Sequence, residues 1–509
     1  MPANRFSLEP LAVPRVHTPN RLICTPIPVP DSLPILRNLY AAEPDAMTGM
    51  APVVWDRAEA CSILDRWGNR WLDFTSGVLA ANAGHNRPEV IEAVQKQAEK
   101  LLFAYAHPTE IRARLASRLV EITPKGLDRV FFFSGGSEAV ECAIKLARIH
   151  GRAAGGDRKI RIVSFDNAFH GRTLGSQLAG GIPAMKEWIG QATGYRPQAA
   201  GPEQATGHRP QATGSSFGDL HRKASPDAGD DRPAKSEACS LQPEACSLES
   251  SFLQVPFPDG YVCRDISFDL FERSLAEQGV EPDDVAAVLM ESFQGGDANF
   301  APAEYVQRLA AWCREHDALL ICDEIQSGFG RTGKLFGFEH YGIVPDLACF
   351  AKGLSGALPL AAVMGRADLM AGFPPRSFTT TYGANPVCCA GALANIDIII
   401  SEDLPARAER MGRVLHDELQ RMARAHSGIV GFVHGRGLVA AVHIVRPGTV
   451  EPDPDAAFRI VESCVRQGLM LFAPVGQGAA SIKICPPLII EEDALREGVG
   501  VLGEMMNDE

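Results

Sequence analysis

The chain has 509 residues, with 49 Lys and Arg against 62 Asp and Glu and a formal net charge of −13. That length can bury a large core and predicts at least two domains, and the acidic balance argues against nucleic acid as a partner. No apolar run is long enough to span a bilayer and the first residues lack the apolar core of a secretory signal, so the expectation is a soluble protein with no membrane partner.

Residues 1–35 are broken repeatedly by proline and read as an extended arm. The runs PVVWD, CSILD and RWLDF, punctuated by Trp67-Gly68-Asn69, predict a β meander, and 36–90 is assigned to the N-terminal part of a small domain. PEVIEAVQKQAEKLL and EIRARLASRLVEI have helical apolar spacing, the first opening on Pro88. A large domain is expected over 91–394. In it DRVFFF reads as a strand, SEAVECAIKLARIH as a helix with Val140, Ala143, Ile144 and Ala147 on one face, and RKIRIVSF as a second strand. VAAVLM, ALLIC, LACF and PLAAVM are further strands, with a helix in EYVQRLAAWCREH. Such alternation predicts an α/β fold, a mostly parallel sheet covered by helices, with ligands bound beyond the carboxyl ends of the strands. Ser134, Asp166, Glu291, Asp323 and Lys352 all closely follow strands.

Residues 191–251 break the pattern with near-copies of QATG, RPQA and EACSL and almost no aliphatic periodicity. They read as a disordered insertion. Its Cys239, Cys246, His208 and His221 lack ligand spacing, so no metal site is expected. Residues 395–509 alternate helix and strand again and form a C-terminal small α/β domain, expected to be joined by the N-terminal meander. The 13 cysteines are scattered without a CxxC pair, which fits buried free thiols in a reducing cytoplasm.

The chemistry centres on Lys352 in CFAKGLSGALPLAAVMG, 29 residues after Asp323 in LLICDEIQSGFGRTG. A lysine after a short apolar strand can condense with the aldehyde of pyridoxal 5′-phosphate (PLP), and a strand-end aspartate can keep the pyridine nitrogen protonated. SGGSEAVE places glycines and serines at a helix start, suited to a phosphate but equally to an ordinary capped turn. Phe169 in NAFHGRTLG could lie flat on a cofactor ring or belong to the core. His170 beside it could orient ring substituents or merely satisfy a loop. TTTYGANP offers hydroxyls ahead of a helix starting near Pro386.

The ordered series WLDFTSGVLAANAGH, SGGSEAVECAIKLAR, FHGRT, DEIQSGFGRTGKLFGFEHYGIVPD, AKGLSGALPLAAVMG and TTYGANP resembles the class III (omega) aminotransferases of PLP fold type I, the family of 4-aminobutyrate, ornithine and acetylornithine aminotransferases. The resemblance implies a large PLP-binding domain with a small α/β domain. It gives Lys352 the covalent link to PLP, Asp323 the ring nitrogen, Ile325 and Phe169 the two ring faces, and Gln326 the ring hydroxyl. Gly135, Gly136 and Ser137 would serve the phosphate, and His170 is counted among the cofactor-binding residues. Thr381 of a partner subunit would reach the same phosphate, which implies a homodimer with a shared active site. Val78, Glu291 and Lys483 fall on the substrate side.

Two departures bear on specificity. Gly296 stands where many relatives have glutamate, with Asp297 next, and Lys483 stands where many have arginine. A lysine cannot grip a carboxylate bidentately, so strong preference for 2-oxoglutarate is not expected. Asp297 is a candidate partner for Lys483, and a solvent-facing strand lysine is the alternative. The expected activity is transfer of an amino group from an ω-amine or amino acid to a keto acid by a ping-pong mechanism. Racemisation, decarboxylation or phospho-elimination on the same cofactor is the alternative, and a catalytically silent binding protein a more distant one.

Overall fold

In a computed structural model of the protein, residues 6–13, 15–47, 49–189, 251–375 and 377–507 are described. The expected insertion, apart from its last residue Ser251, lies outside them. Strands β1 (Val16–His17), β2 (Leu22–Ile23), β3 (Arg57–Glu59), β4 (Ser62–Leu64) and β5 (Arg70–Asp73) make an antiparallel sheet in the order β1-β2-β5-β4-β3. The PVVWD run is not a strand, since β3 begins just after it. The proline-rich arm contributes β1 and β2, and a helix, Leu33–Ala42, starts before the arm's expected end.

Seven strands form the sheet that carries the site: β6 (Arg129–Phe133), β7 (Arg161–Phe165), β8 (Phe252–Val255), β9 (Val285–Glu291), β10 (Leu319–Asp323), β11 (Leu347–Phe350) and β12 (Ala361–Gly365). Their order is β6-β12-β11-β10-β9-β7-β8. β12 runs antiparallel to both neighbours, and every other pairing is parallel. Every residue of β9 and β10 is buried, as expected of strands covered on both faces. Each large aliphatic buried there stabilises the fold by about 1.5–3 kcal/mol. This anchors the strand tips, where the polar residues sit. The register sets Asp323 of β10 directly beside Glu291 of β9.

A third sheet joins β13 (Val430–Arg436), β14 (Val439–Ile444) and, after β15 (Leu469–Met470), β16 (Ser481–Ile484), in the order β13-β14-β16. β15 pairs in parallel with β5, tying the C-terminal segment to the N-terminal sheet. Position 395, the expected start of the small domain, falls inside the helix Pro386–Ser401, which Asn385 caps by accepting from the amides of Val387 and Cys388. The eleven cysteines among the described residues are all unpaired. No described helix is long and apolar enough to cross a membrane.

Candidate active site

The centre of the site is a buried carboxylate held at the tip of β10. Oδ2 of Asp323 lies 2.9 Å from Nδ1 of His170, and Oδ1 accepts from the amide of Ile325 at 3.1 Å. Both side chains are buried, and Nε2 of His170 has no partner among the described residues. Beside them, Glu291 accepts from the amides of Phe169 and Gly295, each at 3.0 Å. Burial pushes the Glu291 carboxyl up to about 7, with His170 opposing and the Asp323 charge adding.

Lys352 follows β11 in a left-handed conformation, φ 47°. For a non-glycine residue that costs about 1–3 kcal/mol and persists only where surroundings enforce it. They do so here. Nδ2 of Asn395 donates to the carbonyls of Gly353 at 2.8 Å and Leu354 at 3.3 Å. From the other side, a Cβ at position 353 would fall 2.5 Å from Nδ2 of Asn82, so only glycine fits. The half-buried Lys352 amine has no hydrogen-bond partner among the described residues. Burial lowers its pKa, with Asp323 and then Glu291 opposing. An amine so disposed sheds its proton more readily and is the better nucleophile.

The helix Gly136–Gly155 starts against the same centre. The amides of Ser134 and Gly135 are taken up by Glu138 at 3.0 and 2.9 Å, which leaves those of Gly136 and Ser137 for an anion at the helix N-terminus. A Cβ at position 136 would stand 2.8 Å from Cδ1 of Ile325, so this glycine lets Ile325 lie against the turn. Ser137 Oγ accepts from the amide of Arg172, whose guanidinium lies 5.7 Å from the centre of the Phe169 ring. The SGGS, FHGRT and DEIQ segments, distant in sequence, thus converge.

Lys483, on β16, is buried and not solvent-facing. Its Nζ donates to the carbonyl of Gly295 at 2.5 Å and to Oε1 of Gln326 at 2.6 Å. Burial lowers its pKa to about 8. The candidate pairing with Asp297 is not made: that carboxylate accepts from the Gln477 amide at 3.0 Å and from the Ser481 hydroxyl, and Lys483 turns to neutral oxygens. Gly296 is sterically fixed, because a Cβ there would meet Cα of Gly476 at 2.8 Å. Val78 is 45 % exposed and lies in a left-handed turn, Ser76 to Leu79, with φ of 49°, 55°, 70° and 59°. Thr381 is exposed in the loop before Pro386, and its hydroxyl has no hydrogen-bond partner among the described residues.

The Aminotransferase class-III family model matches residues 44–227 and 236–506. The chain belongs to the class III aminotransferase family. It is 34% identical over 498 residues to a 4-aminobutyrate aminotransferase of Mycobacterium leprae, covering 96% of this chain and 98% of that protein. It is 30% identical over 482 residues to a 5-aminovalerate aminotransferase of Pseudomonas aeruginosa, covering 93% and 98%. Among solved structures, a PLP-bound amine transaminase from an uncultivated Pseudomonas species superposes with a TM-score of 0.71 at 27% identity, covering 92% of this chain and 96% of that one. The protein is therefore an aminotransferase, and enzymes of this class depend on PLP.

The residues present fit that cofactor. A buried carboxylate with a fixed orientation, an amine without a partner, a helix N-terminus with two available amides and a buried imidazole nitrogen without a partner occupy one region. Glu324, Asn82, Asn395 and Arg331 also support the site, with no role evident from the motifs alone. Glu324 is buried beside Asp323 and accepts from the amides of Gly337 and Phe338, which shapes the turn after the site. Its signal was the adjacent acidic pair in DEIQ. The two asparagines gave none, because their partners lie on distant segments: carbonyls for both and, for Asn82, the Arg331 guanidinium as well.

Proposed function

We propose that PLP is held by Lys352 through its aldehyde, by Asp323 at the ring nitrogen, and by Gly136 and Ser137 at the phosphate. Ile325 and Phe169 flank the ring, Gln326 serves its hydroxyl, and His170 orients Asp323. The observation that carries the reading is the Asp323–His170 pair buried at 2.9 Å beside an unpartnered lysine amine. When bound, PLP supplies an electron sink for a carbanion next to the substrate nitrogen. Lys352 Nζ, set free when the substrate amine takes its place at that aldehyde, would take the proton from that carbon and hold it for return. Asp323 keeps negative charge fixed in a dry region, where it acts most strongly. Lys483, with two of its three N–H groups engaged, offers the third to a substrate carboxylate.

The amino donor on this reading is an ω-amino acid resembling 4-aminobutyrate, and the acceptor a keto acid. The single-point charge of Lys483 supports an enzyme without strong preference for 2-oxoglutarate over pyruvate. A cytoplasmic homodimer completes the account. Leu102, Phe103 and Tyr382 are exposed next to Thr381, and the rings of Phe103 and Tyr382 lie 5.7 Å apart, an apolar surface that a second copy would cover while bringing its own Thr381 to the site. The test is a panel of ω-amino acids and simple amines against pyruvate and 2-oxoglutarate with product detection. Amino transfer that Lys352→Ala abolishes supports the proposal, and a product set lacking any aminated keto acid contradicts it.

A further inference from the structure

Arg331 is fully buried, and all four hydrogen bonds of its guanidinium go to neutral oxygens. Nη2 donates to Ser76 Oγ at 3.0 Å and Asn82 Oδ1 at 2.8 Å, while Nη1 donates to the carbonyls of Leu438 at 2.8 Å and Pro486 at 2.5 Å. Those acceptors belong to separate segments. Ser76 opens the left-handed turn that carries Val78. Asn82 braces Gly353, next to Lys352. Pro486 follows β16, which carries Lys483. Ser76 Oγ in turn donates to the carbonyl of Cys485 at 2.6 Å.

The turn also touches the site through its apolar side. Leu79 is buried in one cluster with Phe293 and Cys485, and Lys483 Nζ lies 5.7 Å from the centre of the Phe293 ring. A run of left-handed residues that includes Ser76, Val78 and Leu79 does not persist by itself. Its internal bonds are few: Gly77 N–H to the Thr75 hydroxyl, Leu79 N–H to the Thr75 carbonyl, and the amides of Ala80 and Ala81 to that of Ser76. A planar guanidinium with a fixed fork of donors is suited to lock it, and an ammonium is not.

We propose that Arg331 is a positioning residue that locks the 76–79 turn against the Lys483 strand and the Lys352 loop, and so fixes the substrate-facing wall on which Val78 stands. The proposal rests on the transamination site described above. Its effect is on donor binding and not on the proton transfer, since Arg331 touches neither Lys352 nor Asp323.

The test compares Arg331→Lys, Arg331→Met and Ser76→Ala with the wild-type holoenzyme. Amide hydrogen exchange is read at residues 79–81, together with KM and kcat for one ω-amino acid donor and the visible cofactor absorbance. Exchange at 79–81 should quicken and donor KM rise roughly tenfold or more in Arg331→Met, with kcat changed less than about threefold, since lost positioning of this kind weakens binding. Arg331→Lys should recover part of the KM. Ser76→Ala should move both readouts in the same direction by less, which keeps the proposal testable if an Arg331 variant does not fold. Unchanged exchange at 79–81, or loss of kcat in step with KM, overturns it. A wild-type enzyme without amino transfer or cofactor absorbance would instead sink the underlying reading.

Discussion

Nδ1 of His170 stands 2.9 Å from Oδ2 of Asp323, and the Ile325 amide engages the other oxygen of that carboxylate. The histidine comes from the loop after β7 and the aspartate from the tip of β10, so the pair locks two parts of the site together. Asp323 is thus oriented before any ligand arrives.

The first prediction concerns that pair. Asp323→Asn keeps the shape but removes the charge, and single-turnover amino transfer should fall by about 10²–10⁴-fold, the size of an acid–base contribution. His170→Ala leaves Asp323 charged but short of one donor, and should cost less, about tenfold in the same single-turnover rate. Equal losses in the two variants would contradict the division of roles.

Glu291 should shape the pH dependence of stability. Its folded-state pKa of about 7 lies above the ordinary 4.5, so the folded protein binds this proton more tightly than the unfolded chain does. The resulting stability is complete below about pH 4.5 and is lost as pH rises to 7, a change on the order of 3 kcal/mol. The melting temperature of the wild type relative to Glu291→Gln should therefore decline between pH 5 and pH 8. A constant difference across that range would show that Glu291 is ionised throughout.

Lys483 predicts a substrate-dependent pH effect. Lys483→Met should raise KM for a carboxylate-bearing donor by roughly 10–100-fold, the size of a hydrogen bond to a charged group, and leave a simple alkylamine donor unaffected. In the wild type, KM for the carboxylate donor should rise as pH passes about 8, where the ammonium discharges. Steady-state kinetics with the two donors over that range check both statements.

Position 296 has no room for a side chain, since its Cβ would lie 2.8 Å from the Gly476 backbone. Gly296→Glu should destabilise the fold by about 1–3 kcal/mol through overpacking, read as a lower melting temperature. An unchanged melting temperature would mean that the 476 loop yields freely.

The fold and the centre of the site were legible because three of the parallel strands are short apolar runs closely followed by a polar residue: Glu291 after VAAVLM, Asp323 after ALLIC, Lys352 one residue beyond LACF. What stayed hidden depends on long-range packing. β8 is four residues beside a low-complexity segment. Every residue of β16 is buried, so alternation could not say which way Lys483 faces. Asp297 was an electrostatically reasonable partner for it, but the Gln477 amide and Ser481 hydroxyl claim that carboxylate first. Arg331 sat within a recognised motif, yet its acceptors lie on segments up to 255 residues away.

The account rests on the Lys352 amine as the anchor of the cofactor. Borohydride reduction of the holoenzyme followed by peptide mapping tests it directly. The account predicts a single pyridoxyl-modified peptide carrying the label on Lys352. A label on Lys483 or any other lysine, or no label in protein that shows amino transfer, would contradict it.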